Sequence, residues 1–269
     1  MNAAKLIHVQ GKPLGGGALP AIITPLVGKT KAALLDEVAA IVPKQPDLLE
    51  WRIDFFEGIG DTALVIDAAR AISAASGIPI LLTRRNATEG GQRVPIDEQA
   101  VVAMYSEACR ARCVEVIDYE LSNRRQDLQR LRAVSAENGI AMIMSYHDFQ
   151  HTPDATTLDS KFIDAERQGA DVAKVAVMPN DPQDVLTLLA ATYRASQSIH
   201  IPLISMAMGG VGSLSRLIGW LYGSAATFAV GKSSSAPGQI AIEELREALA
   251  TVRRSTGSRT LVTTTTLSR

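Results

Sequence analysis

The chain has 269 residues, of which 46% are hydrophobic and 20% are charged. It can therefore bury a substantial core, and its composition excludes a disordered or collagen-like protein. Lys and Arg together number 27 and Asp and Glu 28, which gives a formal net charge of -1. Such a balance provides no basic field that would attract nucleic acid or anionic lipid. We predict no nucleic-acid partner and no membrane association.

The two cysteines, Cys109 and Cys113, support neither a disulfide framework nor a zinc cluster. Charged residues, Pro or Gly interrupt the apolar stretches well before the ~18 residues that a membrane helix needs. The N-terminus also lacks a basic region followed by an apolar run. These features favour a cytoplasmic protein.

Short apolar runs rich in Ile, Val and Leu alternate along the chain with longer segments of helical spacing. The eight predicted strands are 21–26, 48–53, 79–83, 113–119, 141–145, 172–177, 203–206 and 227–230. The predicted helices are 31–41, 62–75, 96–111, 124–137, 156–168, 182–196, 215–221 and 240–252. Parallel strands linked by crossover helices have this order. Eight such units predict an α/β protein with a (β/α)8 TIM barrel, with a doubly wound open sheet as the alternative.

The chain has no Pro- or Ser-rich linker, so we predict a single barrel domain over residues 21–253. Residues 1–20 combine a short apolar run with three consecutive glycines, which favours a β-ribbon that caps one end of the barrel. Residues 254–269 contain four consecutive threonines and no acidic or aromatic residue. This composition predicts a mobile C-terminal tail that takes no part in the chemistry.

Working residues of such barrels lie at the C-terminal ends of the strands, and Lys174 stands inside the apolar run 172–177. Lysine is seldom fully buried. Such an amine needs a carboxylate partner, a path to solvent from the strand end or a chemical role. In its neutral form an amine attacks a carbonyl group, so the chemical interpretation is a Schiff-base lysine.

His147 precedes Lys174 by 27 residues, about one strand–helix unit, so both side chains could face one cavity. An isolated histidine is most often a surface or hydrogen-bonded core residue. Beside an imine-forming amine, proton transfer becomes the better interpretation. Glu89 could hydrogen-bond one ring nitrogen and leave the other free to move a proton, unless it is simply a solvated loop carboxylate.

Arg52, Arg85 and Arg216 lie at or after the ends of three different predicted strands, and three guanidiniums at one rim indicate an anionic, hydroxyl-bearing substrate. The loop 232–239 follows the last strand. It could bind phosphate through its backbone amides, or Ser235 and Gln239 could donate hydrogen bonds to a carboxylate or hydroxyl. The loop by itself leaves both possibilities open.

Five motifs in order resemble the type I 3-dehydroquinate dehydratase family, the Schiff-base dehydroquinases of the shikimate pathway. The resemblance extends from about residue 21 to residue 252. The motifs are EWRID at 50–54, SYHDF at 145–149, KVAVMP at 174–179, GSAATF at 223–228 and SAPGQ at 235–239.

This resemblance implies a lyase that dehydrates 3-dehydroquinate to 3-dehydroshikimate. Lys174 matches the imine-forming lysine, His147 the general acid/base and Glu89 the carboxylate paired with it. Arg216 matches the residue that binds the substrate carboxylate. The positions that hold hydroxyls, carboxylate or the closed loop are Glu50, Arg52, Arg85, Ser235 and Gln239.

The resemblance also implies that no metal or organic cofactor is needed and that the enzyme is a homodimer acting on a small molecule. The glycines at 209–212 favour a mobile loop that closes over the substrate. Two alternatives stay open. One is a class I aldolase-like Schiff-base barrel, and the other is a non-catalytic carboxylate sensor on the same fold.

Overall fold

A computed structural model describes residues 7–9, 12–14 and 19–256. The strands are β1 (Ile7–Val9), β2 (Lys12–Leu14), β3 (Ala21–Leu26), β4 (Leu48–Arg52), β5 (Ile80–Thr83), β6 (Val116–Glu120), β7 (Ala141–Asp148), β8 (Val172–Val177), β9 (Leu203–Ala207), β10 (Ala226–Val230) and β11 (Ile240–Ala241). The α-helices are α1 (Lys31–Ile41), α2 (Thr62–Ser76), α3 (Glu98–Arg110), α4 (Arg125–Glu137), α5 (Ala155–Arg167), α6 (Pro182–Ser198), α7 (Gly209–Ile218) and α8 (Ile242–Ser255).

Eight parallel strands, β3 to β10, form a closed barrel. Each of β3 to β9 pairs with its neighbour in sequence, and β10 pairs with β3. The ring closes between β9 and β10 through a parallel bridge from Leu203 to Ser224, where Ala225 N–H donates to Leu203 O at 2.7 Å. The predicted TIM barrel is confirmed, because an open doubly wound sheet would leave β9 and β10 unpaired with each other.

Strand residues alternate between the inside of the barrel and its helical layer, as the two-residue period of a strand requires. In β8, Val172 and Ala176 belong to the inner cluster, whereas Ala173, Val175 and Val177 belong to the cluster shared with the helices. Lys174 lies on the inner face between Val172 and Ala176. The apolar run that contains this lysine therefore directs it into the barrel.

The N-terminal end of the barrel is covered by the antiparallel ribbon of β1 and β2. Val9 is buried in the inner cluster with Ala21, Leu48 and Val116, which lie at or near the start of their strands. The predicted ribbon cap is thus confirmed, and the opposite end remains for a site. The predicted mobile tail covers residues 254–269. Its first two residues belong to α8, which continues to Ser255, and residues 257–269 lie outside the described residues.

Some predicted boundaries are wrong. The fourth strand begins at Val116 rather than at residue 113, because Arg112 adopts a left-handed φ of 47° and the chain reaches the sheet only after that turn. The fifth strand continues to Asp148 rather than stopping at residue 145, so His147 lies within β7.

In the described part of the chain, none of the helices is both long and apolar enough to cross a membrane.

The largest correction concerns residues 209–212, which the glycine content predicts as a mobile loop. They form the first turn of α7, and the helix ends at Ile218 instead of extending over 215–221. Gly209 begins it at a φ of +70°, and its N–H donates to Pro237 O at 3.2 Å. Gly212 lies so close to β9 that a Cβ atom would stand 2.5 Å from the carbonyl carbon of Ala207. The glycines allow this close approach.

We predict that Gly212→Ala destabilises the protein by about 1–3 kcal/mol, since the added methyl group overpacks against backbone that cannot easily move. Gly210→Ala is the matched control, because a Cβ atom there meets nothing within 4 Å. It should be neutral or stabilising by up to about 1 kcal/mol, as alanine favours a helix. Urea unfolding of both variants makes the comparison. Equal stabilities would show that α7 does not pack closely on β9.

Candidate active site

Inward-facing polar residues meet in a cavity at the C-terminal end of the barrel. Eight of the nine site residues predicted from the sequence line it. They are Glu50, Arg52, Arg85, Glu89, His147, Lys174, Ser235 and Gln239. Arg216 is the ninth, and it lies behind Met206, which is part of the lining.

The Lys174 side chain is only 3% exposed, and its amine has two carboxylate neighbours. Its Nζ atom lies 2.8 Å from Asp118 Oδ2 and 3.6 Å from Glu50 Oε1. The same atom lies 4.7 Å from the centre of the Phe228 ring. The position excludes a lysine that extends to solvent, because both partners belong to the barrel interior.

Asp118 is the centre of the charge network, although none of the five sequence motifs contains it. Its Oδ1 atom accepts hydrogen bonds from Arg85 Nη2 at 2.8 Å and from Ser145 Oγ at 2.6 Å. Burial alone would raise the pKa of this carboxyl group, but Arg85 and Lys174 outweigh burial and hold the pKa well below its usual range. Asp118 is therefore a permanent anion beside the amine.

Arg85 neutralises two buried carboxylates at once. Its Nη1 atom donates to Glu120 Oε1 at 2.8 Å, while Nη2 is bonded to Asp118. Burial lowers the pKa of the guanidinium, but Asp118 and Glu120 together raise this pKa by a larger amount. The net shift is upward, and Arg85 stays charged. These carboxylates therefore serve cations of the chain.

Within the described residues, no group of three or more His, Cys, Asp or Glu side chains could hold a metal ion.

His147 and Glu89 form a buried pair, as the sequence predicts. Glu89 Oε2 lies 3.1 Å from His147 Nδ1 and accepts the backbone N–H of His147 at 2.9 Å. Ser122 Oγ donates to the other carboxylate oxygen at 2.7 Å. Nδ1 is occupied whichever partner carries the shared proton, so Nε2 is the nitrogen left for the cavity.

Burial favours the uncharged form of both members of this pair. It raises the pKa of Glu89 to about 7. It also lowers the pKa of His147 well below the ordinary histidine value, and the positive charges of Arg85 and Lys174 act in the same direction. The imidazole is consequently neutral near pH 7 and able to accept a proton.

Arg52 and Arg216 differ in their partners. Arg52 makes a bidentate pair with Asp54, with both hydrogen bonds at 2.8 Å. Arg216 on α7 is only 2% exposed, and no carboxylate of the described residues lies within ion-pair distance of it. It donates to Pro237 O at 3.3 Å, and burial lowers its pKa to about 10. Arg216 is thus a desolvated cation without an anion.

The loop after β10 is folded onto itself and onto the barrel. Ser235 N–H donates to Gln239 Oε1 at 3.0 Å, and Gln239 Nε2 donates to Ser235 Oγ at 3.3 Å. Arg52 Nη1 donates to Ser235 O at 3.3 Å. Gly238 has a φ of +74° and fits against Gly209, the first residue of α7. The loop therefore covers one side of the cavity.

Asp118 could have been found from strand periodicity. Val116, Asp118 and Glu120 alternate along β6, and Val116 belongs to the inner cluster. The two carboxylates therefore share the inner face with Lys174. The ion pairs themselves give no such signal, because Arg52 meets Asp54, and Arg85 meets Asp118 and Glu120, only when the strand ends are folded.

A family model described as type I 3-dehydroquinase matches residues 22–256. The chain belongs to the type I 3-dehydroquinase family. A 3-dehydroquinate dehydratase of Albidiferax ferrireducens is 51% identical over 258 residues, which cover 96% of this chain and 98% of that protein. The family resemblance stated from the sequence motifs is confirmed, and the chain is an enzyme of this type.

Solved structures support the same assignment. The crystal structure of a 3-dehydroquinate dehydratase from Geobacillus kaustophilus has a TM-score of 0.92 and 45% identity, covering 96% of this chain and all of that one. A type I enzyme from Clostridium difficile, solved with covalent modified comenic acid, has a TM-score of 0.90 and 33% identity. The match to the latter covers 94% of this chain and 99% of that one.

We predict that the His147 ring titrates with a midpoint well below the ordinary histidine value of about 6.5, because burial penalises the imidazolium. Nitrogen chemical shifts of the ring, followed from pH 8 downwards, measure this midpoint. The ring resonance that is present in the wild type and missing from the spectrum of the His147→Gln variant belongs to His147. A midpoint at or above the ordinary value would contradict the neutral imidazole.

Proposed function

We propose that this chain dehydrates 3-dehydroquinate to 3-dehydroshikimate through a Schiff base on Lys174, with His147 as general acid and base. The observation that carries the proposal is that the Lys174 amine and the His147 ring line one buried cavity, with Asp118 and Glu50 beside the amine. A nucleophilic amine and a positioned imidazole are the two groups that this chemistry requires.

In the first stage the neutral His147 ring takes a proton from the Lys174 ammonium, and the resulting amine attacks the ketone carbon. A proton passes from nitrogen to the former ketone oxygen, which gives a carbinolamine. The protonated His147 then gives its proton to the carbinolamine hydroxyl, which departs as water and leaves an iminium. Nitrogen carries a positive charge in the resting ammonium and again in the iminium. Asp118 at 2.8 Å and Glu50 at 3.6 Å therefore stabilise both without moving.

In the second stage His147 removes a proton from the carbon next to the iminium. The electron pair of that C–H bond forms a C=C bond, the iminium π pair moves onto nitrogen, and an enamine results. The enamine then expels the hydroxyl group on the following carbon, and the protonated His147 returns its proton so that water leaves. Hydrolysis of the conjugated iminium releases the product and restores the amine. Glu89 holds Nδ1, which keeps Nε2 directed to these steps.

Arg216 is the residue to which we assign the substrate carboxylate, because a buried guanidinium without an anion gains most from binding one. Arg85 and Arg52 have carboxylate partners already. In this proposal, Arg85 orders Asp118 and Arg52 holds the loop that carries Ser235. Glu50, Ser235 and Gln239 remain as partners for the hydroxyl groups.

The aldolase-like alternative is less well supported by the loop after β10. A phosphate would need free backbone amides there, and the Ser235 amide is already bonded to Gln239. The cytoplasmic location forms part of this proposal, because Cys109 and Cys113 are both free and buried, which suits a reducing compartment.

A turnover assay tests the function and rules on the non-catalytic sensor. Purified protein with 3-dehydroquinate should produce the absorbance of a conjugated enone carboxylate. Lys174→Met should abolish it, and His147→Ala should lower kcat by about 10²–10⁴-fold, the usual contribution of a proton-transfer group. Lys161→Met is the control, since Lys161 lies over the Tyr146 ring and outside the cavity lining. A folded wild type without turnover would support the sensor instead.

We predict that Arg216→Ala raises KM about tenfold or more, because a charge-assisted hydrogen bond contributes about 1.5–3 kcal/mol. Arg216→Lys should restore part of the affinity, as lysine supplies the charge without the bidentate geometry. Arg132→Ala is the control at the other end of the barrel, where Arg132 pairs with Asp171 just before β8. Steady-state kinetics decide the point. An unchanged kcat/KM in both Arg216 variants would place the carboxylate elsewhere.

The homodimer is also a proposal, and the apolar face of α6 and α7 is the surface we assign to it. Six large hydrophobic residues of the described chain are prominently exposed, and all but Leu64 lie on α6, on α7 or on the turn that follows α7. The five that form this apolar face are Leu186, Tyr193, Val211, Leu214 and Leu221. Residues 209–221, which carry three of the five, contain one Lys, Arg, Asp or Glu, the buried Arg216, and α6 contains two, Asp184 and Arg194. A symmetric dimer places a patch against its own copy, and a patch with few charges repels itself little.

We predict that Leu214→Glu converts the dimer to a monomer, since it brings like charges together across the symmetry axis. Leu64→Glu is the matched control, because Leu64 is equally exposed but lies on α2, outside the apolar face. Sedimentation velocity of the wild type and both variants gives the masses. A monomeric wild type, or a Leu214→Glu variant that remains dimeric, would rule out this interface.

A further inference from the structure

Tyr105 lies outside the cavity, on α3, and its hydroxyl group is inserted between two strands of the barrel. The side chain is fully buried. Its Oη atom accepts the backbone N–H of Arg84 at 2.6 Å and donates to the backbone carbonyl of Asp118 at 2.9 Å. The hydroxyl group therefore connects the end of β5 to β6.

The two groups that Tyr105 connects are neighbours in the sheet register. Thr83 at the end of β5 is the partner of Asp118 in β6. In a parallel pair, the N–H of the residue after Thr83 and the carbonyl of Asp118 are positioned to form the next hydrogen bond of the ladder. A side-chain hydroxyl takes the place of that bond. Two hydrogen bonds in series also span more than one direct bond of about 2.9 Å.

The position at which the Tyr105 hydroxyl replaces the ladder hydrogen bond lies next to the charge network of Arg85, Asp118 and Lys174. Arg85 follows Arg84 directly and turns into the barrel, where it binds the Asp118 carboxylate. Asp118 is thus fixed at two points, its carbonyl by Tyr105 from outside the barrel and its carboxylate by Arg85 from inside. The same carboxylate contacts the Lys174 amine at 2.8 Å.

We infer that Tyr105 is a positioning residue for the reaction, because its hydroxyl group sets the separation of β5 and β6 at which Arg85 and Asp118 hold the Lys174 amine. The inference rests on the proposed function, in which that amine attacks the substrate. Tyr105 does not line the cavity, and it acts through the backbone of Arg84 and Asp118.

Tyr105→Phe tests the role, because phenylalanine keeps the ring and removes the hydroxyl group alone. Arg84 N–H and Asp118 C=O then lose their partner or move together to bond directly. Either change displaces Asp118 and with it the amine. We expect kcat per active site to fall about tenfold or more, since a displacement on the order of 1 Å can cost about 10²-fold in rate. KM should change less than about twofold, because Arg216 binds the carboxylate from α7.

Tyr119→Phe is the matched control. Tyr119 is equally buried, and its ring stacks edge-on against Tyr105 with centroids 6.0 Å apart. Its hydroxyl group donates to the Glu98 side chain at 2.6 Å and not to the strand backbone. A purely structural role for Tyr105 would give two variants that lose thermal stability alike and keep their kcat, and this result would overturn the inference.

Two further readouts separate the possible failures. If the wild type and Tyr119→Phe do not turn over 3-dehydroquinate, the proposed function fails; if both turn over and Tyr105→Phe matches them, the positioning role alone fails. Should Tyr105→Phe not fold, amide hydrogen exchange of the wild type tests the bridge. The Arg84 amide should exchange as slowly as that of Leu82 inside β5, and fast exchange at Arg84 would contradict the inference.

Discussion

The ion pair between Lys174 and Asp118 is the interaction on which the rest of the site depends. An amine in the interior of a barrel loses its hydration, and it is tolerated only with a carboxylate partner at hydrogen-bond distance. Asp118 provides that partner at 2.8 Å and needs Arg85 in turn, since two carboxylates, Asp118 and Glu120, lie close together. Breaking such a buried pair costs about 3–5 kcal/mol. The residues to which we assign the chemistry are therefore also the ones that stabilise the barrel interior.

The same principle separates the cations of the site by their function. Arg52, Arg85 and Lys174 are each neutralised by carboxylates, whereas Arg216 is buried with no carboxylate of the described residues beside it. A buried positive charge that has no carboxylate partner in the protein is stabilised when an anionic group of the ligand binds to it. The pairing pattern thus distinguishes the paired arginines from Arg216, the residue to which we assign the substrate carboxylate, although all three arginines look alike in the sequence.

The sequence predicts much of this arrangement because parallel strands and their inner faces follow simple periodicities. The apolar runs give the barrel, and the position of Lys174 within one run directs the amine inward. The pairing of His147 with Glu89 is implied by the family resemblance, although Glu89 itself lies in none of the five motifs. The glycines at 209–212 are misread as a loop, because glycine also permits the close packing of α7 on β9. The role of Asp118 depends on contacts with Arg85 and Tyr105, which come from distant parts of the chain and which no local pattern encodes.

The most direct test of the account is to locate the covalent bond. Borohydride reduces an iminium to a stable secondary amine, so wild-type protein treated with 3-dehydroquinate and borohydride should be inactivated irreversibly. Mass spectrometry of the digested protein should then find the adduct on the peptide that contains Lys174, and Lys174→Met should carry none. An adduct on another lysine, or continued turnover with no adduct at all, would contradict the central claim that the buried Lys174 amine forms the Schiff base.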